Sequence, residues 1–359
     1  MRIVQIDKLP KWCGQTQQTF YLAAGLKRRG HEVLVVGEPG SALVERARAE
    51  RLPVLCLSMK GWRLFPSAPR LAPALRKGRF EIVHAHGARD HLLAAMAAAF
   101  SPSAAVVRSK HNLTAIKGPV LYRHFAARLI AVSHAAKEVL LACGVSAEKV
   151  SVVYDGVDLE RFAPREKDPS PLEEFGIGPG AFIIGTTGRL ASKSKGIPTL
   201  LRAAQIVCGR APHTRFLLIG RKDPQIQGLA DSLGLRDHAF FTGFREDIPR
   251  LLALLDLYVQ PSVRDAFPSS VLEAMAMAKP VLATRVGGIP EAVAEGETAV
   301  LCEPGNVEEM AHAMLGLMND RDALKRMGLA GRARVERRFS LERMIDGIEE
   351  VYRSVLRTC

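Results

Sequence analysis

The densest run of chemically useful residues lies at 261–275, Pro-Ser-Val-Arg-Asp-Ala-Phe-Pro-Ser-Ser-Val-Leu-Glu-Ala-Met, directly after an apolar stretch. Pro268 and Ser269 suit the first turn of a helix, which would leave the N–H groups of Ser269, Ser270 and Val271 open to an anion. Asp265 precedes that helix and Glu273 falls in its second turn. Each carboxylate can accept hydrogen bonds from sugar hydroxyls on either side of an anion seated on the N–H groups. A phosphate flanked by two sugars outlines a nucleotide sugar; the plainer alternative is a pair of solvated acids on a surface helix.

Residues 185–196, Gly-Thr-Thr-Gly-Arg-Leu-Ala-Ser-Lys-Ser-Lys-Gly, leave an apolar run and lead into a helical pattern. Gly188 and Arg189 mark the strand end, and Lys195 stands just before the helix. Two cations converging there can clamp a diphosphate and neutralise charge growing on a leaving group; otherwise they are solvated loop charges. The segment lacks G-x-x-x-x-G-K-[ST] and is not a P-loop. At 11–18, Gly14 lets backbone approach an anion at another helix start, or simply makes a turn. One glycine does not make a dinucleotide fingerprint.

Three histidines close strands in the first half. His84 and His86 share one face of a strand, but no carboxylate or cysteine accompanies them closely, so cleft-lining or packing imidazoles and no metal site are expected. His111 follows Arg108 and Lys110. Their charge favours its neutral form, suited to a sugar hydroxyl or a phosphate, unless it is structural. Val286-Gly287-Gly288-Ile289-Pro290-Glu291 is a further glycine turn into a helix.

Positioning these residues takes alternating strands and helices. Apolar runs at 2–6, 32–36, 54–57, 81–84, 104–108, 129–132 and 150–153 read as strands of a first unit. Those at 182–187, 215–219, 239–242, 257–260, 280–284 and 299–302 read as strands of a second. Helical patterns between them, such as 18–29 ending at Gly30, predict an α/β fold with two Rossmann-like parallel sheets and ligands at the carboxyl ends of strands. The Pro- and Gly-rich stretch 163–180 reads as a linker. The expected domains are 1–170 and 171–340, with a closing helix within 341–359 packing back toward the first.

The 359 residues suit two domains, and 48% apolar with 24% charged residues exclude disorder and low complexity. The net charge of +13 is uneven: residues 1–170 hold 26 Lys and Arg against 14 Asp and Glu, whereas 171–359 hold 24 against 23. The first half therefore expects an anionic partner. Six scattered cysteines without a C-x-x-C pair argue against zinc and disulfides and fit a reducing cytoplasm. Asp7 and Lys8 follow too soon for a secretory leader, and the run 92–100 is too short to span a bilayer. Contact with an acidic inner membrane is expected to be peripheral at most. A non-enzymatic nucleic-acid binder would explain the charge, but five Tyr and two Trp without basic interleaving do not fit one.

Together these segments resemble the glycosyltransferase family four type of retaining, GT-B fold enzymes, as in bacterial lipopolysaccharide and cell-surface glycan synthesis. The likeness runs through Cys13-Gly14-Gln15, Ile82 to Gly87, Val157-Asp158 with Phe162, Gly188-Arg189-Leu190 with Lys195-Gly196, Asp265 to Glu273, and Gly287 to Glu291. It implies two domains facing a cleft, the first for the acceptor and the second for the nucleoside diphosphate sugar, a co-substrate with no cofactor or metal. It implies that Arg189 and Lys195 bind the diphosphate, that Glu273 holds the ribose and Asp265 the transferred sugar. Likewise it implies that Gly14 approaches the diphosphate and that His111 stands near the reacting carbon. Asp265 departs from the usual glutamate and reaches less far, Cys13 replaces a glycine, and Asp155 an asparagine. An anionic glycan or glycolipid acceptor would suit the basic half, with Arg108, Lys110, Lys117 and Arg123 as its expected contacts. A sugar-nucleotide epimerase of the same architecture is the competing enzyme.

Overall fold

The computed structural model describes residues 1–101, 104–116, 122 and 124–358. It divides into two compact units, one of Met1–Gly156 with Leu341–Cys359 and one of Val157–Ser340. The division precedes the Pro- and Gly-rich stretch expected to mark it, because Val157 pairs with Ser340 and the Phe162 ring is buried in the second unit.

The first unit contains strands β1 (Arg2–Asp7), β2 (Glu32–Gly37), β3 (Val54–Cys56), β4 (Ile82–Ala85), β5 (Ala105–Lys110), β6 (Arg128–Ala131) and β7 (Val150–Val152). They form one parallel sheet in the order β3-β2-β1-β4-β5-β6-β7. Consecutive residues face opposite cores. Ile3, Val35, Ile82 and Val107 bury one face against helices Gly14–Arg28 and Leu341–Thr358, whereas Val4, Val36, Val83 and Val106 bury the other against Leu64–Lys77 and Ala88–Ala98. Burial on both faces is why these strands read as apolar runs. Helices Gly14–Arg28 and Leu341–Thr358 meet at Gly25, where a Cβ would lie 2.2 Å from Ile345 Cδ1.

The second unit contains β8 (Phe182–Thr187), β9 (Thr214–Ile219), β10 (Ala239–Gly243), β11 (Leu257–Gln260), β12 (Val281–Thr284) and β13 (Ala299–Cys302). Its parallel sheet runs β10-β9-β8-β11-β12-β13. In both sheets the order reverses once, beside β1 and β4 in the first and beside β8 and β11 in the second. The chain leaves the two strands at such a point in opposite directions, which opens a crevice at their carboxyl ends. Both sets of candidate residues lie there. No disulfide joins the described cysteines Cys13, Cys56, Cys143, Cys208 and Cys302.

Candidate active site

In the second unit three loops meet at the carboxyl edge. The loop after β8 backs onto the loop after β11 through the Val263 N–H, which donates to Ser194 O at 2.9 Å; the Gly288 N–H, after β12, donates to Asp265 O at 3.2 Å. Only glycine fits at 196: its φ is +63°, and a Cβ would lie 1.8 Å from the Pro261 carbonyl oxygen.

This packing brings Lys195 and Asp265 together, with Nζ 2.7 Å from Oδ2. The two expected roles, diphosphate clamp and sugar contact, therefore converge on one ion pair. Asp265 Oδ2 also accepts from Gln260 Nε2 at 3.3 Å and Ser262 Oγ at 3.2 Å. Gln260 Oε1 accepts in turn from the Tyr258 hydroxyl at 2.8 Å and Ser270 Oγ at 3.1 Å, and Thr187 Oγ1 lies 3.1 Å from that hydroxyl. Burial pushes the Tyr258 phenol up to about 12, and the charge of Glu273 pushes the same way. The Lys195 ammonium and the neutral donors Gln260 and Ser262 thus hold the Asp265 carboxylate, while Arg189 and Gly188 stay exposed at the strand end.

The helix Ser269–Ala276 starts at this edge with no side-chain cap. Among the described residues no acceptor meets the N–H of Ser269 or Ser270. Val271 corrects the sequence reading: its N–H donates to Pro268 O at 2.9 Å in a tight first turn and is not open.

In the first unit the corresponding edge is a buried network built on three imidazoles. His84 Nδ1 lies 2.6 Å from the Tyr352 hydroxyl and its Nε2 2.8 Å from Ser109 Oγ. Gln5 Nε2 donates to the same Tyr352 oxygen at 2.9 Å, and Gln5 Oε1 meets His86 Nε2 at 2.8 Å. His86 Nδ1 and His111 Nε2 lie 3.0 Å apart, and His111 Nδ1 is 3.8 Å from Asp155 Oδ1. Burial is the first cause and neighbouring charge the second: His84 and His111 are pushed down to about 3 and His86 well below its usual range. Burial likewise raises Asp7 to about 6 and holds Asp90 well above the carboxylate range, with Asp7 adding to the latter. His86, Ser109, His111, Asp155 and Gln18 line a cavity of about 10 Å³, room for one water. Gly14 is exposed at the start of its helix.

Two of the expected acceptor contacts are corrected. Arg108 and Lys110 are 5% and 3% exposed, because β5 is an inner strand covered on both faces. The Arg108 guanidinium stacks 4.3 Å over the Tyr122 ring, and Lys110 Nζ donates to Asn112 Oδ1 and Thr114 O, both at 2.5 Å. Neither is a surface cation. Lys117 and Arg123 lie outside the described residues. Sequence reasoning missed Gln5, Asp7, Asp90, Tyr258, Gln260 and Tyr352; for Gln5 and Gln260 a signal was available, a polar residue within or ending a buried apolar strand.

Comparison with known proteins adds to this geometry. Residues 12–161 match the family model described as Glycosyltransferase Family 4, and residues 181–320 match Glycosyl transferases group 1. Among curated relatives, the UDP-Gal:alpha-D-GlcNAc-diphosphoundecaprenol alpha-1,3-galactosyltransferase of Escherichia coli is 25% identical over 86% of this chain and 84% of its own. The lipopolysaccharide core biosynthesis mannosyltransferase LpsB of Rhizobium meliloti is 30% identical over 58% of this chain, which spans 61% of that relative; for the N-acetyl-alpha-D-glucosaminyl L-malate synthase of Bacillus anthracis the identity is 31% and the span about half, 54%. A glycosyltransferase of Rickettsia africae superposes with a TM-score of 0.89 at 23% identity, covering 100% of this chain and 99% of that one. HepE of Anabaena, solved with UDP-glucose, superposes at 0.88 with 24% identity, covering 99% and 100%.

Proposed function

Because the chain belongs to the Family 4 and group 1 glycosyltransferases, enzymes of glycan synthesis with two Rossmann-like domains, we propose that it moves a sugar from a nucleoside diphosphate sugar to an anionic glycan or glycolipid, with retention and without a metal. The supporting observation is the carboxyl edge of the second sheet, where the Lys195–Asp265 pair stands in the same packed loops as the uncapped helix start at Ser269 and Ser270. An ammonium has three donors. Lys195 can keep Asp265 and still donate to a diphosphate, with Arg189 adding charge from the strand end. Glu273 would hold the ribose and Asp265 the transferred sugar; in the first unit Gly14 would offer its helix start to an anion.

In this reading the acceptor hydroxyl attacks the face from which the diphosphate departs. The bond from the anomeric carbon to the leaving oxygen breaks as the new glycosidic bond forms, and the acceptor proton passes to a leaving phosphate oxygen. The protein's part is positioning and stabilisation of developing diphosphate charge. His111, held neutral, would offer the sugar a hydrogen bond rather than a charge.

Relatives that act on a diphosphoundecaprenol-linked sugar and on the lipopolysaccharide core suggest a lipid-anchored acceptor at a membrane surface. Among the described residues no helix is long and apolar enough to cross a membrane, so the contact proposed is peripheral. A thermal-shift panel with UDP, GDP, ADP and their common sugars tests the donor site. A ligand at 100 times its Kd stabilises by about 2.7 kcal/mol, and Lys195→Ala is expected to remove most of the shift. Conversion of a nucleotide sugar without acceptor would favour an epimerase instead.

A further inference from the structure

The helix Leu64–Lys77 has a second face that the core does not use. Leu64, Leu71 and Leu75 turn into the first unit, whereas Trp62, in the preceding turn Gly61–Arg63, and Phe65 are 73% and 58% exposed. At helical spacing beyond them come Pro66, Pro69 and then the exposed Arg70, Arg76 and Lys77. The outer stripe is thus aromatic and uncharged over its first turns and cationic over its last.

Charge around it is one-sided. Residues 51–80 hold seven Lys and Arg and no Asp or Glu. The first unit, Met1–Gly156 with Leu341–Cys359, holds 26 Lys and Arg against 14 Asp and Glu, a surplus of twelve, so this one stretch carries more than half of it. Water gives no reason to expose an indole and a phenyl ring one turn apart. An interface does: aromatic rings settle among lipid headgroups while flanking cations meet anionic phosphates.

We propose that the Trp62 and Phe65 end of this helix, with Arg63, Arg70, Arg76 and Lys77, seats the first unit on an anionic lipid leaflet. Arg108 and Lys110, expected to contact an anionic acceptor, are buried and take no part in this surface. It adds a named surface to the glycolipid reading above, but it stands on exposure and charge and survives if that reading fails.

The chain has two tryptophans, Trp12 and Trp62, so Trp12→Phe leaves Trp62 as the sole reporter. Mixed with phosphatidylglycerol–phosphatidylcholine vesicles at low salt, this variant is expected to float with the vesicles. Its emission should shift to the blue and be quenched by lipids brominated near the headgroup. Phe65→Ser, and separately Arg70→Glu with Lys77→Glu, should each weaken partitioning about ten-fold or more, since each cation near an anionic surface contributes about five-fold. Failure to float overturns the proposal, as does flotation with Trp62 unshifted, binding indifferent to the charge reversals, or an equal shift with inorganic phosphate or an acidic protein in place of vesicles. Transfer to a water-soluble acceptor, measured on Phe65→Ser, reports on the enzyme reading alone and should persist whether or not vesicles bind.

Discussion

The two sheets repeat one strand order, yet their carboxyl edges are opposite in chemistry. In the second unit, nearly neutral at +1 (24 Lys and Arg against 23 Asp and Glu), the edge presents Arg189 exposed and Lys195 paired with Asp265. In the first unit, with its surplus of twelve, the edge is a buried network of neutral His84, His86, His111, Gln5 and Tyr352, with Asp155, Arg108 and Lys110 buried beside it. Charge is present at both edges, but in the first unit it is shut inside, whereas in the second Arg189 reaches solvent. In the proposed reading the accessible charge would hold a diphosphate and stabilise its departure.

The charged side carries the heaviest consequence. Lys195→Ala should lower kcat about 100-fold or more, the scale of removing a preorganised partner of developing negative charge. Near wild-type turnover would mean that the ammonium only neutralises Asp265, making this edge as structural as the other.

On the neutral side, Tyr352→Phe strands Gln5 Nε2 and His84 Nδ1 inside the core, at a cost of about 1–3 kcal/mol. Native-state hydrogen exchange of the β1 and β4 amides reads this loss within the first unit. Unchanged protection would show the network to be slack.

Acid probes the same network from its protons. The folded values of His84 and His111, about 3, lie below the unfolded 6.5, so between them the unfolded chain binds more protons. Their stabilising contribution is complete above pH 6.5 and is lost as pH falls toward 3, by about 1 kcal/mol for each imidazole between pH 6.5 and 5.5. Protection of the β4 amides, each rate taken relative to its intrinsic rate at the same pH, should fall over that window, and less so in His111→Asn. A flat profile would mean imidazoles charged in the fold, erasing the contrast between the edges. The smallest effect is expected at the surface: Arg29→Ala, which removes the 2.7 Å pair with Asp346, should cost under about 1 kcal/mol in a urea melt.

Much of the fold was legible because both faces of each sheet are buried. β8, β11 and β13 stand where the apolar runs ended, at 182–187, 257–260 and 299–302. The helix Gly14–Arg28 begins earlier than its apolar pattern, since Thr16, Gln18 and Thr19 are buried by partners that sequence spacing does not reveal. At the site, the loop at 185–196 and the segment at 261–275 were legible as units, but not the ion pair joining them, which depends on how closely Gly196 lets the loops approach. Arg108 and Lys110 misled for a related reason. A cation reads as surface unless the strand order is known, and the order places β5 inside the sheet.

The helix Leu341–Thr358 belongs to the first unit although the whole second unit precedes it in the chain. Synthesis therefore delivers the second unit as one uninterrupted piece and the first in two instalments. Until Leu341–Thr358 has left the ribosome, the face later covered by Ile345, Ile348 and Tyr352 lies open, and Gln5 and His84 await the hydroxyl that joins them. A stop introduced before Leu341 would thus do its damage hundreds of residues upstream, at β1 and β4.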